Sequence, residues 1–165
     1  MERIKKMILT VNENIQLKPI DKENAELLFP LFKADLKEIC RWFPFDENYQ
    51  LNYDFSYVDE KEPPFDETFV IYYNSKPCGR VGLYDYDENN KEIFLYYWVA
   101  SPYRRKRIAF NSVNAVLDYL KNLGINSVLF DVKKENKNSI LLINKIPNTS
   151  IVSEANDVLI YSHLL

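Results

Sequence analysis

Four consecutive cations, Arg104-Arg105-Lys106-Arg107, form the chemically most distinctive run in the chain. They follow an apolar stretch, Glu92 to Val99, and precede a segment with helical patterning. A loop that feeds a helix N-terminus presents unpartnered N–H groups and a partial positive charge, which suits phosphates. The basic side chains add guanidinium and ammonium donors. Metal and thiol chemistry finds no such support. There is one histidine, His163, and two cysteines, Cys40 and Cys78, that lie far apart. They make neither a zinc-ligand spacing nor a disulfide framework, so no metal is expected. A cytoplasmic protein with reduced thiols is the simplest expectation. Cys40 reads as a small core residue, and nothing near Cys78 argues for a nucleophile.

These residues need elements to position them. Ile15 and Leu17 alternate with polar neighbours, which predicts a short strand. Asp21 can cap a helix carrying Leu27, Leu28, Leu31, Phe32, Leu36 and Ile39 on one face. Pro30 interrupts it and predicts a kink or two short helices. Residues 42–66 are aromatic and acidic and are expected to cover a groove. Strands are then predicted over 69–73, 80–84 and 92–99, with turns at 74–76 and 87–90. The third of these has few polar residues, as a central strand would. A helix follows, with Phe110, Val113, Val116, Leu117, Leu120 and Leu123 at helical spacing and Gly124 after its end. A strand over 126–132, a short helix over 136–144 and strands over 149–152 and 158–164 complete the chain. Meandering strands followed by alternating strands and helices predict a mixed sheet with helices on both sides.

The composition fits that outline. The chain has 165 residues, of which 47% are hydrophobic and 27% charged, so a single domain over 1–165 with its own core is expected. The formal net charge is -3, which speaks against a general nucleic-acid or anionic-membrane partner. The N-terminus is too short in apolar residues for a secretory signal, and no run approaches the ~18 apolar residues of a membrane span.

The run Tyr97-Trp98-Val99-x-x-Pro102-Tyr103-Arg104-x-Lys106-x-Ile108-Ala109 resembles the GNAT superfamily of acetyl-CoA-dependent N-acetyltransferases. It is most similar to the branch that acetylates ribosomal-protein N-termini. Asn136-x-x-Ser139 and Lys145 resemble that family's second cofactor segment, and Asp157 to Ser162 also fits the branch. The resemblance runs from about Ile15 to Leu165 in the same element order. It implies an α/β fold of the GNAT type, with a mixed, mostly antiparallel central sheet and helices on both faces. It implies acetyl-CoA as cosubstrate. Val99 and Ala100 would offer backbone to the pantetheine arm, Arg104, Arg105, Lys106, Arg107, Ile108 and Ala109 would hold the pyrophosphate, and Asn136 and Ser139 would touch the far side of the cofactor.

The chain departs from the family where the loop usually carries glycine, because Arg107 and Arg105 stand there. Glycine lets backbone approach phosphates without a Cβ in the way. Arginine can supply guanidinium donors to phosphate oxygens instead. Alternatively, the Arg107 side chain fills the site, or the loop is simply solvated or holds another anion. The family's acidic strand position is Phe94 here, and its helical tyrosine falls at Ile143. As catalytic substitutes, Glu92 can act as a base through water and Tyr96 can donate a hydrogen bond, both on one strand face. Tyr161 is a more remote candidate.

The expected function is acyl transfer from acetyl-CoA to a primary amine of a peptide, protein or small molecule by direct attack. The alternative is a catalytically inactive GNAT-fold binding module. The acidic 42–66 segment, with Asp54, Asp59 and Glu60, suggests a cationic acceptor, and a homodimer stays open.

Overall fold

The computed structural model describes residues 7–44 and 67–165. Most of the aromatic and acidic 42–66 segment, with Asp54, Asp59 and Glu60, therefore lies outside the described residues. The strands are β1 (Leu9–Thr10), β2 (Ile15–Pro19), β3 (Thr68–Tyr73), β4 (Lys76–Asp87), β5 (Glu92–Val99), β6 (Ser127–Lys133), β7 (Thr149–Ala155) and β8 (Val158–Leu164). The helices are α1 (Lys22–Trp42), α2 (Ile108–Asn122) and α3 (Lys137–Ile143).

Local chemistry accounts for the element ends. The Asp21 carboxylate accepts from the Asn24 N–H at 2.8 Å, and the Asn24 side chain accepts from the Asp21 N–H at 2.9 Å. This reciprocal capping box starts α1. Of the two outcomes expected at Pro30, a division into two short helices does not occur, and α1 runs through it as one helix. Proline takes its missing donor from the bond to the carbonyl four residues back. Pro30 and Glu26 are both exposed, so water can serve that carbonyl. With only 3 glycines in the chain, the tight turns use other residues. Asn74, Ser75, Lys91, Asn148 and Asn156 all have positive φ, and Gly124, at φ 79, follows α2.

The strands form one sheet in the order β1-β2-β3-β4-β5-β6-β8-β7. All neighbours are antiparallel except β5 and β6. The short β1 was not foreseen in the sequence. A separate core fills each face. On one, α2 buries Ile108, Val113, Val116, Leu117 and Leu120 against Leu83, Leu95 and Phe130. On the other, α1 buries Leu28, Phe32, Leu36 and Ile39 against Val70 and Trp98. Strand alternation decides which residues see which helix. Along β5, Leu95, Tyr97 and Val99 face α2, whereas Phe94, Tyr96 and Trp98 face α1. Among the described residues no helix is long and apolar enough to cross a membrane.

Candidate active site

The sheet opens at its middle. β5 and β6 pair only from Glu92–Ser127 to Phe94–Leu129, although β5 runs on to Val99 and β6 to Lys133. Backbone polarity follows from the neighbouring ladder. The Ala100 N–H donates to the Cys78 carbonyl at 2.8 Å, so even-numbered residues at this end of β5 direct their backbone groups to β4. The alternate residues, Tyr97 and Val99, direct theirs into the opening. Of the two residues expected to offer backbone there, Val99 directs its groups to the opening, where its carbonyl accepts from Arg104, and the Ala100 N–H is engaged with β4. Val99 and Ala100 are both buried.

Above the opening, a 3-10 turn over Ser101–Tyr103 leads into the basic loop and α2. Arg105 has φ 63 and Arg107 has φ 58. These are the two positions where a glycine was missed in the sequence, and both keep the left-handed backbone that glycine adopts easily. A non-glycine residue pays roughly 1–2 kcal/mol for it. Arg107 is the N-cap of α2 and makes no side-chain cap bond. The Asn111 N–H reaches the Arg107 carbonyl at 3.0 Å. The N–H groups of Ile108, Ala109 and Phe110 precede that bond and have no intrahelical acceptor. Arg105, Lys106 and Arg107 are exposed, Ile108 is buried and Ala109 is half-buried. The Lys106 ammonium lies 5.4 Å from the Tyr73 ring centre and 5.8 Å from that of Tyr103.

Arg104 is differently employed. Its Nε donates to the Val99 carbonyl at 2.9 Å. One terminal nitrogen donates to both Glu38 oxygens at 2.9 Å, and the other lies 3.4 Å from Asp35. Asp35 also accepts from the Ser101 N–H at 2.8 Å and the Ser101 hydroxyl at 2.6 Å. Arg104 thus ties the basic loop to α1, and its guanidinium is committed to carboxylates and a carbonyl.

A tyrosine flanks the opening on each face. On the α2 side, the Tyr97 hydroxyl lies 2.6 Å from the Ser139 Oγ of α3. Burial pushes Tyr97 up to about 12, with the Ser139 bond opposing, so the phenol is protonated at neutral pH. Asn136 caps α3 by accepting from the Ser139 N–H at 3.2 Å, which fixes where Ser139 points. On the α1 side, Tyr84 of β4 reaches over β5 and donates to Asp131 of β6 at 2.6 Å. Burial first, and then that hydrogen bond, push Tyr84 well above the ordinary tyrosine range. Its ring lies 5.3 Å from Phe94 and 6.0 Å from Tyr96.

The other expected catalytic side chains sit away from the opening. Glu92 is at the paired end of β5, where its carboxylate accepts from the Ser127 hydroxyl at 2.6 Å. Tyr96 leans over Gly82, and its hydroxyl lies 3.3 Å from Thr68 of β3, in the direction opposite to β6. Tyr161 is buried in the α2-side core. The His163 Nδ1 lies 2.9 Å from the Pro147 carbonyl and 3.1 Å from the Thr149 hydroxyl, far from the basic loop in sequence. Sequence reasoning missed Tyr97 as a functional hydroxyl and missed the Tyr84–Asp131 pair. The one available signal was Asp131 itself, a carboxylate in an otherwise apolar strand centre. No group of histidines, cysteines and carboxylates that can hold a metal occurs among the described residues.

Comparison with known proteins supplies the context for this geometry. Residues 32–146 match the model of the "Acetyltransferase (GNAT) family". Among solved structures, the chain is similar to RimL, the ribosomal L7/L12 alpha-N-protein acetyltransferase, with a TM-score of 0.85 and 14% identity over 96% of this chain and 94% of that one. It is also similar to the spermidine N-acetyltransferase from Vibrio cholerae in complex with CoA and spermine, at TM-score 0.79 and 16% identity, covering 93% and 96%. A third is the microcin C7 self immunity acetyltransferase MccE in complex with acetyl-CoA and AMP, at TM-score 0.77 and 19% identity, covering 95% and 98%. At these identities the structures speak to the fold. No curated protein sequence matches significantly.

Proposed function

We infer the function from the GNAT acetyltransferase family, to which the chain belongs: its cosubstrate is acetyl-CoA and its reaction is acyl transfer to an amine. On that premise we propose how this chain's residues carry the reaction. The pyrophosphate of the cofactor rests on the N–H groups of Ile108, Ala109 and Phe110 and meets the side chains of Arg105, Lys106 and Arg107. The pantetheine arm lies in the β5–β6 opening, against the backbone of Tyr97 and the N–H of Val99, whose carbonyl is held by Arg104. Asn136 and Ser139 border it on the α3 side. Arg104 serves the site from behind, by holding the loop on α1. The observation that carries this reading is the left-handed backbone of Arg105 and Arg107 ahead of an uncapped helix. The cradle keeps its shape although the glycines are gone.

The protein's share of the chemistry is then orientation, exclusion of water and proton delivery. The amine attacks the thioester carbonyl, the C–S bond breaks, and the departing thiolate needs a proton. The Tyr97–Ser139 hydroxyl pair lies beside the opening and supplies it, filling the role that Ile143 leaves vacant on α3, and the proton that the amine nitrogen loses as the amide forms restores the tyrosine. The acceptor is a primary amine of a peptide or small molecule.

Calorimetric titration with acetyl-CoA tests the cradle. One site per chain with a dissociation constant of micromolar order, weakened by raising salt, is the expected result. No heat and no thermal shift at millimolar acetyl-CoA would overturn it.

A further inference from the structure

β7 ends the sheet, and among the described residues no strand pairs with its outer side. The opposite edge is the two-residue β1, too short to template a partner, whereas β7 runs for 7 residues. Ser150 to Ala155 are all exposed, with Ile151 at 52% and Val152 at 58%. Natural edges are commonly guarded by charges, lysine above all. The one charge in β7 is Glu154, and it is already in an ion pair with Lys134 of its own chain.

The free groups of this edge follow from its inner pairing. The Leu164 N–H donates to the Asn148 carbonyl at 3.1 Å and the Lys134 N–H to the Asp157 carbonyl at 2.7 Å. Even-numbered residues of β8 therefore serve β7, and odd-numbered ones serve β6. Ser150, Ser153 and Ala155 stand opposite Ser162, Ile160 and Val158 and are engaged inward. Thr149 and Glu154 thus direct their N–H and C=O groups outward. A bulge shifts the register between Ile151 and Ser153. It puts Ser150 and Ser153 on one face of the sheet, and Thr149 and Glu154 on the other, as their β8 partners show. A regular strand would place residues an odd number apart on opposite faces. With the bulge, a copy of β7 turned about a two-fold axis between Ile151 and Val152 matches its own edge. Thr149 then meets Glu154, Ser150 meets Ser153, and Ile151 meets Val152. Outward backbone faces outward backbone, hydroxyl faces hydroxyl, apolar faces apolar, and no like charges meet. A two-fold contact requires this self-complementarity.

We propose that β7 is a dimerisation edge, which pairs antiparallel with β7 of a second copy of this chain across that axis. The outward groups of Thr149 and Glu154 exchange hydrogen bonds between copies, and the Ile151 and Val152 side chains leave water together. The cofactor opening between β5 and β6 stays clear in each copy, because β6 and β8 separate it from the interface. The proposal does not depend on the acetyl-transfer reading.

Sedimentation velocity of the wild-type chain over about 1–200 µM tests the association. One paired edge is a small interface, so a dissociation constant on the order of 10 µM is expected. Val152→Lys sets two ammonium groups beside the axis and should weaken the dimer at least about tenfold. Its melting temperature in dilute solution should match wild type, because Val152 is exposed. Cross-linking reads the register. Ser150→Cys combined with Ser153→Cys should form disulfides between copies under mild oxidation, since directly opposite residues at such a pair stand ~4.5 Å apart, within disulfide reach. Neither single variant should do so, because its two copies lie roughly 10 Å apart along the strands. A wild-type chain that stays monomeric to about 200 µM overturns the proposal. So does a dimer that survives Val152→Lys, or one that leaves the double-cysteine variant without a cross-link.

Discussion

At the scale of single residues, two arginines hold glycine's backbone and the Tyr97 hydroxyl meets that of Ser139. Arg107, at φ 58, carries strain that glycine would remove. Arg107→Gly should therefore stabilise the fold by up to about 1 kcal/mol, the relief of strain being partly offset by glycine's greater unfolded-state freedom. Thermal unfolding reads that gain. The same variant should weaken acetyl-CoA about fivefold, because one phosphate-facing cation is gone; calorimetry reads that loss, and tighter binding would mean that the arginine obstructs the site. Tyr97→Phe should lower kcat about 100-fold, with acetyl-CoA affinity nearly unchanged, if its hydroxyl delivers the proton. Steady-state kinetics beside a cofactor titration separate the two effects. Much of this was legible beforehand: the basic loop and the segment beginning at Asn136 were both marked in the sequence. The directions of individual side chains were not, because Glu92 and Tyr96 share a strand face yet lean toward Ser127 and Thr68, which strand spacing does not show.

At the scale of elements, α1 and the loop before α2 act as one unit. Asp35, only 9% exposed, binds Ser101 twice and contacts Arg104, which also grips Glu38 and the Val99 carbonyl. Truncating Arg104 to Ala should cost about 1 kcal/mol, since the Val99 carbonyl and the exposed Glu38 lose their donor while Asp35 keeps Ser101. It should also weaken acetyl-CoA by freeing the loop, and a denaturant titration paired with calorimetry checks both. The β4–β5 ladder offers a sharper contrast. A Cβ on Gly79 would lie 2.3 Å from the Trp98 carbonyl oxygen, a backbone atom, whereas one on Gly82 would strike the Tyr96 side chain. Gly79→Ala should thus be the more destabilising, by about 2 kcal/mol or more, since the strands themselves must part. Equal stabilities for the two variants would contradict that account. Hairpins, the Asp21 cap and most of the amphipathic stripe of α1 were readable from the sequence, but Leu27, expected on that face, is 54% exposed. The continuity of α1 through Pro30 was not, because it depends on which way the Glu26 carbonyl faces.

For the whole molecule, the start of β7 is tied to the end of β8 at His163. Its ring sits against the Pro147 carbonyl and Thr149, where β8 meets the start of β7. Burial lowers its pKa, with the Pro147 bond opposing. A histidine whose folded pKa lies below its unfolded value of ~6.5 favours the unfolded chain in acid. Its neutral form leaves stability intact above that unfolded value, and stability falls as pH drops from there through the folded pKa. His163→Gln should flatten this part of the stability–pH curve, as urea midpoints between pH 7.5 and 5 would show. A slope unchanged by the substitution would place the acid sensitivity elsewhere.

The sequence by itself determined the order of elements, the alternation that assigns side chains to faces, the basic loop and the family. Those are local or periodic properties, set by capping, hydrophobic spacing and the run of charges. Only the tertiary structure decided which hydroxyls and carboxylates meet. Tyr84 and Asp131 lie 47 residues apart, and Tyr97 and Ser139 lie 42 apart, yet each pair closes to 2.6 Å. Both pairs lie where β5 and β6 part after Phe94, and the pairing of strands distant in sequence is a tertiary property. No local pattern encodes it.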